Sequence, residues 1–305
     1  MTQFMMLMRR EWMQHRIGWL LVMLAPTVLL LLASFIDGGM QVNINDQVQL
    51  ADLRQAPALV ITGLLVTAVT GLTLALALLS MAFQLPGLAR RDQQNGSAEF
   101  WTSLPVGHAK AIAATLFTQI LMLPWLAIIV GIVGGLVAAM LAIIAIHGPL
   151  DWLAQPWGLL ALSALALLLR MTVALLVAMA WLSPLLLLTM AASAWLRRWG
   201  VPVVAALTLA GTLILDRRLP EPLLGPALWR PVAEALHALL YFGAARDLQL
   251  RQLQDVIVWL PGLPTRLLGD LPPMLANLAT PAFALALAGG ALGFALLVLR
   301  RQRGA

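Results

Sequence analysis

The sequence predicts an all-α, polytopic membrane protein with six transmembrane helices and both termini in the cytoplasm. Three observations lead there. Hydrophobic residues make up 61% of the 305 residues and charged residues 10%, where soluble domains carry roughly 45–50% and about 25%. The apolar residues fall in long uncharged runs, and a run of about 20 crosses a hydrocarbon layer roughly 30 Å thick. Those runs are built from Ala, Leu and Gly without period-two alternation, which argues for helices and against a transmembrane barrel.

The first span covers 17–36 and follows Arg9, Arg10 and Arg16. Its apolar run is longer than a secretory signal core, and Asp37-Gly38-Gly39 offers no small-x-small cleavage pattern, so it reads as an uncleaved anchor. The second span covers 58–85. The third (111–146) and fourth (158–196) exceed a bilayer crossing. Splitting both would bring the turn His147–Trp157, with one Asp and no Lys or Arg, to the inner side. Each is therefore one tilted helix, kinked at Pro124 and Pro184. The fifth, 199–215, is barely long enough, contains Pro202 and has paired arginines at both ends; the sixth covers 280–299.

Orientation follows from the basic residues. Alternating six spans from a cytoplasmic N-terminus puts Arg9, Arg10, Arg16, Arg90, Arg91, Lys110, Arg197, Arg198, Arg300, Arg301 and Arg303 inside, against the acids Glu11, Asp92 and Glu99. The outer side then holds seven basic and ten acidic groups, the asymmetry that retains positive loops in the cytoplasm. The net charge of +6 thus reflects topology. A nucleic-acid partner is not expected, since no soluble domain is present to carry a basic footprint. The absence of cysteine excludes disulfides and thiolate metal sites.

The cytoplasmic loop 86–110 is the most polar inner stretch. Asn95 or Ser97 can cap a short helix with Glu99 in its first turn and Pro105 at its end. Phe100, Trp101 and Leu104 then share one side, an aromatic face that calls either for lipid headgroups or for a partner protein.

The segment resembles the cytoplasmic loop of type-2 ATP-binding-cassette export permeases, where a charged stretch leads to Gly-Ser or Gly-Thr, an aromatic pair, then Ser-Leu-Pro-Val. The matching positions are Arg91, Asp92, Gly96, Ser97, Phe100, Trp101, Ser103, Leu104, Pro105 and Val106. A looser similarity covers Trp181, Pro184, Ser193, Ala194, Trp195, Arg197 and Arg198. Gly107 departs from the family, which often has Ser or Thr there. The resemblance implies a bacterial inner-membrane permease subunit that pairs with a second permease, identical or different, and with two copies of a cytoplasmic ATPase. In that setting 91–105 is a coupling helix seated on the ATPase, and ATP and Mg bind the partner rather than this chain. One part follows independently: a phosphate-binding loop needs Gly-Lys-Ser/Thr, and the only lysine, Lys110, is followed by Ala111. No catalytic residue is expected in this subunit.

Arg170 stands about twelve residues into the fourth span, where a charge is costly by roughly 2.5–3.5 kcal/mol or more. One reading faces it to a translocation path or an anionic headgroup; the other bonds it to backbone carbonyls. Gly131 with Gly135 and Gly289 with Gly293 form small-x-x-x-small faces, and Gly63, Thr67 and Thr70 line one side of the second span, all suited to close helix packing. The four histidines are isolated and form no metal pattern. The extracytoplasmic region 216–279 predicts an amphipathic helix opening at Pro231, with Val232, Leu236, Leu239 and Leu240 at helical spacing, and a second over 244–260, together a small cap. Two other functions compete with the exporter. A secondary transporter is weakened by the lack of acids within the spans, and an intramembrane lipid-modifying enzyme by the lack of a catalytic constellation.

Overall fold

In the computed structural model, residues 3–36, 57–88, 107–215, 224–243 and 260–303 are described. They are almost wholly helical, with no strand among them. The elements are α1 (Gln3–Ile36), α2 (Ala58–Leu88), α3 (His108–Leu116), α4 (Leu123–Ile146), α5 (Pro149–Leu153), α6 (Trp157–Leu196), α7 (Gly200–Ala210), α8 (Leu224–Leu240), α9 (Leu263–Gly269), α10 (Leu271–Ala276) and α11 (Pro281–Arg303). Five helices are long and apolar enough to cross a membrane: α1, α2, the continuous α3–α4 rod, α6 and α11. The chain is a multi-pass helical membrane protein. The segment 200–215 is a shorter apolar helix that ends in a π-turn, Gly211–Leu215; its 16 residues reach only about 24 Å at 1.5 Å per residue.

Prolines explain the breaks. The kink expected at Pro124 is instead a π-turn, Phe117–Met122, immediately before it, which takes up the register change a proline imposes. At Pro184 the helix continues. Proline has no N–H for the carbonyl of Ala180, and the Ser183 hydroxyl donates to that oxygen instead at 2.8 Å. α11 opens on Thr280, whose hydroxyl accepts from the Phe283 amide at 3.3 Å, followed by Pro281 in the first turn.

Helix directions are read from side-chain meetings. α1 runs parallel to the α3–α4 rod, with Glu11 beside Thr115 and Thr27 against Gly134. α2 runs antiparallel to α4: a Cβ on Gly131 would lie 2.6 Å from Thr70 Cα, and one on Gly135 2.5 Å from Val66 Cα. The two backbones touch, which only glycine permits. α4 and α6 form an antiparallel hairpin bridged by Trp125 Nε1 donating to Thr172 at 3.2 Å. α6 and α11 are parallel: Trp181 meets Phe283 edge-on at 5.2 Å, Ser183 faces Gly290, Leu187 faces Gly293, and Arg300 Nε donates to the Ala194 carbonyl at 3.3 Å.

α6 has 40 residues, about 60 Å of helix, and its two halves have different neighbours. α11 begins only at the level of Trp181 and covers the C-terminal half. α8, α9 and α10 pack along α6 nearer its start, around Arg170. These helices lie against the N-terminal half of α6.

α8 also departs from the sequence reading. It starts at Leu224, so Pro231 sits within it rather than in its first turn. Its buried face is Ala235, Ala238 and Leu239, while Leu236 and Leu240 are 44% and 70% exposed. Two small alanines bring the helix close to α6, and Leu236 and Leu240 turn outward. The second helix expected over 244–260 falls almost entirely outside the described residues.

Candidate functional site

The predicted coupling positions Arg91, Asp92, Gly96, Ser97, Glu99, Phe100, Trp101, Ser103, Leu104 and Pro105 lie outside the described residues. The helices that carry the loop are described. α2 ends at Leu88, and the Ser193 hydroxyl donates to the Pro86 carbonyl at 2.6 Å, which ties the last turn of α2 to the end of α6. α3 opens at His108 and packs on α1 and α11. Both loop ends thus sit at one end of the bundle, with the C-terminal ends of α6 and α11.

That end contains a buried polar group which the sequence reading counted only as a loop charge. Glu11 is 1% exposed, pairs with Arg10 at 2.8 Å, and accepts from Thr115 at 3.3 Å. A carboxylate this buried is tolerable only when paired and hydrogen-bonded. Glu11 lies ahead of the apolar run 17–36, on the part of α1 that continues as helix before that run begins.

One turn along the same rod, the π-turn packs against α1, α2 and α6. It carries Gln119, which is fully buried, and neither its Nε2 nor its Oε1 has a hydrogen-bond partner among the described residues. Leaving a buried amide unsatisfied costs about 1–3 kcal/mol. A π-turn joined to an orphaned amide is a strained locus of the kind that recurs at functional positions. Thr115, Thr118 and Gln119, spaced i, i+3 and i+4 within an apolar run, were the available sequence signal.

The second locus is Arg170. Its side chain is fully buried. Nη1 donates to the Leu239 carbonyl at 3.3 Å, Nη2 donates to the Tyr241 carbonyl, and the guanidinium lies 3.9 Å over the Phe242 ring. Asp270, 12% exposed, brings Oδ2 to 3.9 Å from Nε. Three chain segments converge on one cation: α6, the end of α8 with the residues after it, and the α9–α10 corner. Two carbonyls, a π face and a carboxylate together replace the hydration that the buried guanidinium gives up. Asp270 is the partner that the spans themselves lacked, supplied from a distant segment that no local pattern connects to Arg170.

The predicted packing glycines occupy several positions. Gly131 and Gly135 face α2, Gly289 faces Pro184 with a would-be Cβ contact of 3.0 Å, and Gly293 faces Leu187. Thr70 is buried against Gly131, and Thr67 donates to the Gly63 carbonyl at 2.6 Å. Among the described residues no group of three or more His, Asp or Glu side chains gathers as a metal site would need. No family model, curated protein or solved structure matches the chain.

Proposed function

We propose that this chain is the transmembrane permease subunit of an ATP-driven exporter in the inner membrane of a bacterium. It spans six times with both termini in the cytoplasm, pairs with a second permease, and takes its energy from two copies of a separate ATPase that bind ATP and Mg. The observation that carries this reading is the 91–106 segment, with its Gly-Ser, Phe-Trp and Ser-Leu-Pro-Val pattern, joined to two helix ends, one tied to α6 and the other packed on α1 and α11. A helix on that loop, pressed by a closing ATPase, moves α2 and α3 as levers, a rigid-body transition of packed elements. The π-turn between α3 and α4 is the joint across which such movement passes.

Two further observations support it. The lone lysine is followed by alanine, so the phosphate-binding loop belongs to another polypeptide. The parallel packing of α6 and α11 also fits a return crossing by 200–215, which starts beside Ser193 and ends against α8.

The test is co-purification with a soluble ATPase encoded beside this chain. The ATPase is expected to remain bound in mild detergent, and Phe100→Asp with Trp101→Asp to release it while the membrane subunit stays folded. Undiminished association in that variant sinks the coupling assignment.

Buried Glu11 is the one observation that favours a proton-coupled secondary transporter. Its pairing with Arg10, 2.8 Å away, favours a fixed structural charge over a titrating relay.

A further inference from the structure

The inner ends of α6 and α11 form a basic, tryptophan-bearing surface. Trp195, 42% exposed, has Arg300 and Arg303 over its ring at 5.9 and 5.7 Å. Arg300 is held in place by donating to the Ala194 carbonyl, and the Trp195 indole donates to the Leu296 carbonyl at 3.4 Å. The next residues, Arg197 and Trp199, are exposed, Trp199 at 60%. Arg197 turns the chain with φ 53°, a conformation that L-residues rarely adopt. α3, which also packs on α11, adds exposed Lys110 at the same end.

The described carboxylates are Glu11, Asp151, Glu234 and Asp270, and each is engaged elsewhere: with Arg10, His147, Asn277 and Arg170. No described acid faces Arg197, Arg300 or Arg303. A charge-retention role in topology requires only that basic residues lie near helix ends. It does not require two guanidiniums fixed on one indole that is itself fixed to a backbone carbonyl. Tryptophan favours the headgroup layer, and clustered arginines between helix ends favour a phosphate.

We propose that the Trp195–Arg300–Arg303 surface binds the phosphate headgroup of an anionic phospholipid in the adjoining leaflet. The phosphate sits among Arg197, Arg300 and Arg303, while the acyl chains run along the exposed apolar side of α11, where Leu292 and Leu299 are open. The bound lipid links the end of α6 to the end of α11. This inference does not depend on the exporter reading.

The experiment is thermal unfolding of the full chain in detergent with graded phosphatidylglycerol, phosphatidylcholine or free glycerol phosphate. Phosphatidylglycerol is expected to raise the midpoint saturably by several degrees, and the other two to leave it unchanged. Arg303→Gln should weaken that response several-fold, and Arg300→Gln with Arg303→Gln should abolish it, whereas Arg266→Gln, outside this surface, should retain it. If the double variant does not fold, Trp195→Leu with Arg303→Gln replaces it, read by the number of lipids retained in native mass spectrometry. Equal responses to the two lipids, an equal response to glycerol phosphate, or a full phosphatidylglycerol response in both double variants overturns the proposal. So does loss of a bound protein partner in those variants with the lipid response intact.

Discussion

Asp270 Oδ2 stands 3.9 Å from Arg170 Nε, and this one contact joins the α9–α10 corner to the interior of α6. It is also the meeting point of the only fully buried arginine among the described residues with the carboxylate that balances it. Removing one partner of a buried pair leaves the other uncompensated, at about 3–5 kcal/mol. Arg170→Met strands Asp270 near the surface, whereas Asp270→Asn strands a guanidinium that keeps its two carbonyls and its ring.

The first prediction is therefore an ordering. Arg170→Ala should destabilise most, because four contacts and their packing go together. Asp270→Asn should cost less, about 1–2 kcal/mol, a fraction of the full loss expected for a buried partner. Arg170→Met combined with Asp270→Asn should be less destabilising than the sum of the two. Chemical unfolding of the four proteins in detergent measures the cycle, and strict additivity would show that the pair is not coupled.

The second prediction contrasts two glycines. Gly131→Ala puts a methyl 2.6 Å from Thr70 Cα, whereas Gly71→Ala meets nothing within 4 Å. The former should cost about 1–3 kcal/mol through overpacking of a backbone contact. The latter should be neutral or stabilising by up to about 1 kcal/mol, the helix preference of alanine over glycine. Melting midpoints of the two variants, side by side, decide it.

A third concerns Gln119. Replacing it with Met keeps the volume and removes an amide that has no partner among the described residues, so stability should rise by about 1 kcal/mol or stay level, within the span of an unsatisfied polar group. Should the variant unfold more readily than the parent, the amide has a partner in the working protein. A more stable protein with impaired transport would mark the turn as a strained functional joint.

The fourth uses the absence of cysteine, which lets any introduced thiol report alone. Asp151→Cys should react with an impermeant maleimide on intact cells, and Gln302→Cys only after permeabilisation. If both react on intact cells, the 200–215 segment does not cross.

Much of the fold was legible because bilayer burial writes itself into the sequence as long apolar runs. The glycine pairs 131/135 and 289/293 were visible for the same reason, since a close approach of two helices demands a missing side chain at fixed spacing. Three things were not legible. Of the apolar repeat Val232, Leu236, Leu239 and Leu240 on α8, Leu239 is buried while Leu236 and Leu240 are exposed, since in a protein whose outer surface is apolar the bulky residues need not face inward. Glu11 sat among basic residues and read as a loop charge, because α1 runs on as helix well before its apolar stretch begins. The Arg170–Asp270 contact depends on how a distant corner folds back onto α6, and hydrophobic periodicity carries no information about that return.

The split neighbours of α6 bear on how the protein is made. Its C-terminal half, from Trp181 to Ala194, faces α11, and Arg170 waits on Leu239, Tyr241 and Asp270. All of these partners are synthesised after α6 has entered the membrane. Until then the helix carries an unpaired guanidinium and a bare groove of Ser183 and Leu187. The earlier helices α1, α2 and α4 can assemble on their own glycine contacts, but α6 stays dependent on chain not yet made, so quality control has a long interval in which to recognise a stalled intermediate.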